Sequence, residues 1–283
     1  MRALGVVVPA RDEQDHVVAC LHGIRTALDR VPGRVTIAVT VVLDRCSDRT
    51  PRLAADELAD WPGAVALRVA AVGGRRGGSA TGPGPAHMVA GTGVGALRDL
   101  GVRSTLRRLR RFAPRDVWLL STDADTTVPP DWAMAHLRLA AAGARGVAGL
   151  AELGPHPELS PAALRLYQQI VAAGMHGTRH HHVYGANLGV RADAYLAVGG
   201  FPHDGPGEGR ALWNRLERTG MPLATPVEPV VRTSARLHGR AEGGLADLLR
   251  SLQAGSEPTR PAGLSAVPDP ERPGAATDTP DGA

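Results

Sequence analysis

The chain contains no lysine, and arginine supplies all 32 of its basic residues. An arginine excess favours phosphate-bearing ligands and anionic surfaces, because the planar guanidinium forms paired hydrogen bonds to phosphate. A GC-rich coding sequence that writes arginine for lysine is the simpler explanation of the bias, and the net charge is only +4. Aromatic residues make up 3% of the chain, so Ala, Val and Leu must build most of any core. No block of basic residues alternates with aromatics, which argues against a nucleic-acid partner. The two cysteines, Cys20 and Cys46, lie far apart with no metal-ligand spacing, which excludes a disulfide framework and fits a reducing compartment. No stretch approaches the ~20 apolar residues that a membrane span requires. The start runs straight into Gly5-Val6-Val7-Val8-Pro9 without an apolar leader. These absences predict a cytoplasmic protein without a transmembrane segment, and leave peripheral membrane contact open.

Apolar residues make up 43% of 283, enough for one large α/β domain or two small ones. Short β-branched runs at Leu4–Val8, Val35–Leu43 and Val65–Val72 alternate with helical patterns at 15–29 and 50–59. That alternation predicts a parallel sheet covered on both faces. The Gly- and Arg-rich stretch Gly73–Gly84 reads as a loop, and a helical pattern resumes over Ala86–Leu100. Asp116–Ser121 reads as a fourth strand and Trp132–Ala142 as a helix. One short strand is expected over Val147–Leu153, then a helix over Pro161–Gly174 and a strand ending at Val190. Helices fit Asp193–Val198 and Arg210–Arg218. Leu223–Arg232 reads as a last edge strand, since Pro226 and Pro229 would spoil a central position. From Ala254 to Ala283 little remains to bury, which predicts a disordered tail.

Three of the expected strands end in polar clusters: Pro9–Glu13, Asp44–Thr50 and Asp123–Asp125. In an open parallel sheet, ligands sit beyond the C-terminal strand ends, so neighbouring strands would bring these clusters into one crevice. The apolar run Val117-Trp118-Leu119-Leu120 leads directly into Ser121-Thr122-Asp123-Ala124-Asp125. Two carboxylates one residue apart at a strand end supply hard oxygen ligands for Mg²⁺ or Mn²⁺, which in turn suits a diphosphate; a solvated strand end is the plain alternative. Asp44 suits a base N–H or a ribose hydroxyl. Ser47 and Asp48 equally suit helix capping, and Glu13 the first turn of its helix. His180, His181 and His182 alternate faces in an extended segment, so at most two point the same way. Lining the cleft fits them better than a zinc site does. His238 is a further candidate for late contact with diphosphate or metal. Trp132 and Trp213 read as buried packing rather than sugar platforms. A dinucleotide-binding enzyme is disfavoured, because the first strand leads to Pro-Ala-Arg-Asp-Glu and not to Gly-x-Gly-x-x-Gly.

Taken in order, Val7-Val8-Pro9-Ala10-Arg11-Asp12-Glu13, Val41-Val42-Leu43-Asp44-Arg45-Cys46-Ser47-Asp48-Arg49-Thr50 and Ser121-Thr122-Asp123-Ala124-Asp125 resemble the landmarks of family 2 glycosyltransferases. Gly185-Ala186-Asn187-Leu188-Gly189-Val190-Arg191 with Gly199-Gly200-Phe201 is similar to that family's acceptor-half signature. The resemblance covers roughly residues 1–250. It implies a GT-A fold, a three-layer α/β/α sandwich with a mostly parallel central sheet. Residues 1–253 would be the catalytic domain, with a nucleotide-sugar-binding half at 1–130 and an acceptor half at 131–253. It further implies a hexosyltransferase-like enzyme using a nucleotide diphosphate sugar, an unidentified hydroxyl acceptor and Mn²⁺ or Mg²⁺. Pro9, Ala10 and Glu13 would line the nucleoside pocket, Asp44 would contact the base, Asp123 would lie near ribose and metal, and Asp125 would ligate the metal. Arg75 and Arg76, on the Gly-rich loop, would clamp phosphates or remain solvated loop charge. The family's usual Glu-Asp pair reads Glu208-Gly209 here, so the general base would be Glu208, with its longer reach, or Asp204 from the preceding loop. The alternative is a nucleotide-sugar-binding protein whose transfer is weak or lost. Leu43 also replaces an Asp common in the family, beside the retained Asp44.

Overall fold

The computed structural model describes residues 1–69, 93–155, 158–239 and 243–255. Arg75 and Arg76, and the expected tail from residue 256 on, lie outside the described residues. The strands are β1 (Ala3–Ala10), β2 (Thr36–Asp44), β3 (Ala64–Val69), β4 (Val117–Ser121), β5 (Thr126–Thr127), β6 (Gly146–Ala148), β7 (Leu150–Leu153), β8 (Met175–His176), β9 (Arg179–His180), β10 (Leu188–Arg191), β11 (Leu223–Ala224) and β12 (Val230–Thr233). The helices are α1 (Val17–Leu28), α2 (Thr50–Leu58), α3 (Val94–Arg108), α4 (Trp132–Ala141), α5 (Pro161–Ala173), α6 (Ala192–Ala197), α7 (Glu208–Glu217) and α8 (Leu245–Gln253).

The central sheet has the order β11-β6-β10-β4-β1-β2-β3, with β10 antiparallel to both neighbours and the other pairings parallel. The period of two sorts β1 between the faces. Leu4, Val6 and Val8 pack with Leu21 and Ile24 of α1 and Trp132 of α4, while Ala3 and Val7 pack with Val102 of α3 and residues of α6 and α7. The result is a three-layer α/β/α sandwich. With about 1.5–3 kcal/mol per buried aliphatic side chain, many small contributions replace the few large ones that aromatics would supply. Helix α3 lies close on β1 and β2 because Gly101 faces the sheet. A Cβ there would meet Val7 Cγ1 at 2.4 Å.

Three expectations change. The stretch Val147–Leu153 is two strands, not one, because the Asn187 side chain inserts at Gly149, where a Cβ would stand 2.3 Å from Asn187 Nδ2. The segment Leu223–Arg232 likewise divides. Its first part is the edge strand β11, and its second part, β12, is the middle strand of a small sheet ordered β5-β12-β7. Pro226 and Pro229 sit in the crossover between them, so neither spoils a ladder. Helix α8 was not expected. Leu245, Leu248, Leu249 and Leu252 give it a helical stripe that packs on α5.

Candidate active site

Strands β2, β1 and β4 are adjacent, and their C-terminal ends open onto one cleft of about 500 Å³. The structure thus brings Asp44, Pro9, Ala10, Glu13, Asp123 and Asp125 to a common wall. The opposite wall carries Glu208 and Arg210, from the first turn of α7. Asp204 is exposed on the preceding loop and does not line the cleft; His238 is likewise exposed and outside it.

Arg98 organises the centre of the site. It sits on α3 in register with Val94, Gly101 and Thr105, so the helical period turns it toward the sheet, where it is fully buried. Its Nε donates to Glu208 Oε1 (3.0 Å), its Nη1 to Ser121 Oγ (2.6 Å), and its Nη2 to Asp123 Oδ1. Burial opposes its charge, and Asp123 and Glu208 together outweigh that and raise its pKa. No hydrogen bond among the described residues engages Glu208 Oε2, and Glu208 lines the cleft. The sequence reading missed Arg98. The signal was present as an arginine falling on the apolar face of a helix.

Arg236 forms the second cationic centre. Ser234 N–H donates to the Asp125 carbonyl (3.1 Å), which docks the end of β12 against the acidic loop. The Arg236 guanidinium then reaches Glu13 Oε2 (2.8 Å) and Asp125 Oδ2 (3.0 Å). Burial pushes the Asp125 carboxyl up to about 7, against the lowering pull of Arg236; the nearby Asp123 and Glu13 charges push the same way as burial. Glu208 and Asp123 share Arg98, and Glu13 and Asp125 share Arg236, so four carboxylates face two guanidiniums. Over the whole lining, five carboxylates (with Asp44) face four guanidiniums (with Arg11 and Arg210), an excess of one negative charge when all are ionised. A divalent cation fits both this charge and the hard oxygen donors of Asp123 and Asp125.

Asp44 is 2% exposed at the end of β2 and accepts a bidentate pair from Arg45, at 2.7 and 2.9 Å. Asp48 Oδ1 accepts from Thr50 N–H (2.9 Å) at the start of α2, the capping role open to it from sequence. Ser47 N–H instead donates to Asp12 Oδ1 (2.6 Å), which holds the Asp12 carboxyl below its ordinary pKa. His180 and His182 share a face and stack at 5.9 Å. Their Nε2 atoms meet the Pro226 and Val171 carbonyls, at 3.1 and 2.8 Å, and neither ring lines the cleft. Burial lowers both pKa values, that of His180 to about 4. Among the described residues no grouping of potential metal ligands includes them. Trp132 and Trp213 are buried, Trp132 donating to Asn187 Oδ1 (2.9 Å) and Trp213 to Glu217 Oε1 (2.9 Å).

No protein-family model and no curated protein sequence matches the chain. Solved structures do. The mannosyltransferase PcManGT from Pyrobaculum calidifontis, solved in complex with GDP-Man and Mn²⁺, superposes with a TM-score of 0.56 at 16% identity, over 89% of this chain and 61% of that one. S. aureus TarS, residues 1–349, superposes with a TM-score of 0.52 at 10% identity, over 82% of this chain and 60% of that one. The fold is that of the GT-A glycosyltransferases. The chain spans about three-fifths of the length of these two structures. Among its described residues, no helix is long and apolar enough to cross a membrane.

Proposed function

We propose that the protein transfers a sugar from a metal-bound nucleotide diphosphate sugar to an acceptor hydroxyl, with inversion at the anomeric carbon. The observation that carries this reading is the meeting of Asp123, Asp125 and Glu208 in one cleft whose lining holds more carboxylates than guanidiniums. The solved complex of the similar mannosyltransferase, with a nucleotide sugar and Mn²⁺, supports the same donor class. Asp123 and Asp125 would hold Mn²⁺ or Mg²⁺, which when bound neutralises the departing diphosphate as a Lewis acid. Pro9, Ala10 and Glu13 line the nucleoside side, with Asp44 at the base. Arg98 orients Glu208 through Oε1, and Oε2 accepts the acceptor hydroxyl's proton. As the acceptor's hydroxyl oxygen bonds to the anomeric carbon, the bond from carbon to the diphosphate oxygen breaks on the opposite face. Arg236 adds positive charge beside the leaving group.

Thermal-shift and calorimetric titration with UDP-, GDP- and dTDP-sugars, with and without Mn²⁺, tests the assignment. Binding should require the metal, and Asp125→Asn should abolish it while leaving the unliganded melting transition in place. Unchanged Mn²⁺-dependent affinity in that variant would remove Asp125 from the site. Tight metal-dependent binding of every donor without turnover on any acceptor would favour a binding protein that has lost transfer.

A further inference from the structure

The end of the central sheet away from the cleft brings two arginines together. Strand β10 pairs with β6 in antiparallel register, with Val190 opposite Gly146. One rung further on, the Arg191 N–H donates to the Arg145 carbonyl (2.9 Å), so the two arginines stand opposite each other. The Arg145 N–H donates in turn to the Pro222 carbonyl (2.7 Å), at the entry to β11. An open cavity of about 460 Å³ lies at this rung, lined by both arginines, Asp193, Met221, Pro222 and two alanines of α6. It shares no lining residue with the cleft. We propose that this cavity binds a small organic oxyanion, a carboxylate or a phosphate, with Arg145 as its principal positive charge.

Like charges directly opposite on neighbouring strands repel, since the side chains start roughly 5 Å apart at Cβ. The chain answers one of the two. The Arg191 guanidinium forks onto Asp193, with Nε donating to Oδ1 at 2.5 Å and Nη2 donating to Oδ2. Asp193 Oδ1 also accepts from the Ala194 N–H (2.8 Å), which fixes the carboxylate in place. Arg145 has no such answer. No hydrogen bond or ion pair among the described residues engages its guanidinium, and its Nη1 is buried. Water does not reach that nitrogen, so the charge is partly stripped of solvent without being paired, a costly arrangement. An anion in the cavity relieves that cost and the repulsion from Arg191 together.

The lining carries two guanidiniums and one carboxylate, an excess of one positive charge. A planar guanidinium matches the paired oxygens of a carboxylate or phosphate, which chloride does not offer. Ala194, Ala197, Met221 and Pro222 add an apolar wall, suited to a short carbon skeleton behind the charged group. The cleft does not compete for such an ion when no divalent cation is present, because its lining holds more carboxylates than guanidiniums.

Thermal-shift titration of the full chain with sodium phosphate and, separately, sodium acetate tests this, in EDTA and against sodium chloride at matched ionic strength. At least one should bind saturably with a Kd of about 1–10 mM, the range that two charge-assisted hydrogen bonds give a small ion. At ten times Kd, melting should rise by about 2–4 °C beyond the chloride control. Phosphate alone, acetate alone or both would each support the proposal and name the charged group that the cavity accepts. Arg145→Gln should abolish the saturable shift. Asp193→Asn frees the Arg191 fork and removes a negative charge, and should tighten binding by about three-fold or more. Arg11→Gln, on the cleft wall, should leave it unchanged. No saturable shift with either anion, undiminished binding in Arg145→Gln, no tightening in Asp193→Asn or loss in Arg11→Gln would overturn the proposal. If Arg145→Gln does not fold, the response of Asp193→Asn decides the matter. Neither metal nor nucleotide is present, so the outcome is independent of the donor reading.

Discussion

The proposed mechanism gives Glu208 two duties on two oxygens: Oε1 accepts from Arg98, and Oε2 takes the proton. Replacing it with glutamine keeps an acceptor for Arg98 but removes the proton acceptor. Glu208→Gln should lower kcat by about 100-fold or more while leaving donor affinity unchanged, read by single-turnover kinetics beside calorimetry. A comparable loss of donor affinity would place Glu208 in donor binding instead. At the neighbouring Gly209 a Cβ would meet the Gly185 backbone at 3.2 and 3.3 Å. Gly209→Asp should therefore cost about 1–3 kcal/mol of stability and gain no rate. The close approach of α7 to the 185 loop leaves little room for a side chain at Gly209.

At the scale of elements, Asn187 explains why one expected strand became two. Its Oδ1 accepts from Trp132 Nε1 (2.9 Å) and His136 Nε2 (3.1 Å), and its Nδ2 donates to the Leu150 and Pro229 carbonyls (both 2.8 Å). One fully engaged amide thus ties α4 to both sheets, and the backbone at Gly149 breaks to admit it. His136 is part of this tie and is completely buried, which lowers its pKa to about 4. The unfolded chain binds that proton near pH 6.5 and the folded chain does not. Its contribution is therefore complete above pH 6.5 and is lost as pH falls from about 6.5 toward 4, a loss on the order of 3 kcal/mol. Urea denaturation between pH 7.5 and 4.5 should show the decline, and His136→Gln should make it shallower, leaving the part that the buried His180 and His182 supply. An equal slope in both proteins would contradict the assignment.

For the molecule as a whole, Arg98 is a buried ionic link between distant elements, added to the β4–β10 pairing of the central sheet. It joins α3 to the end of β4 and to the start of α7, inside the wall of the cleft. Removing one partner of a buried ion pair leaves the others uncompensated, so Arg98→Met should cost about 3–5 kcal/mol in denaturant unfolding. A cost below about 1 kcal/mol would show that water, not Arg98, satisfies Asp123 and Glu208. Arg236 makes the corresponding tie from the end of β12 to Glu13 and Asp125. Both arginines are more than a hundred residues from an acid they bind, which is why spacing along the chain did not reveal them.

Local pattern by itself determined the strand–helix alternation, the parallel core of β1, β2 and β4, and the polar strand ends that converge on the cleft. Each follows from side-chain period and from the rule that parallel strands expose their C-terminal ends together. Only the tertiary structure decided which cations answer the acids, that Asp204 lies outside the cleft lining, that Pro226 and Pro229 lie in a crossover, and how closely Gly209 approaches the 185 loop. Those outcomes depend on contacts between distant segments and on the space left between backbones, and neither is written in a run of neighbouring residues.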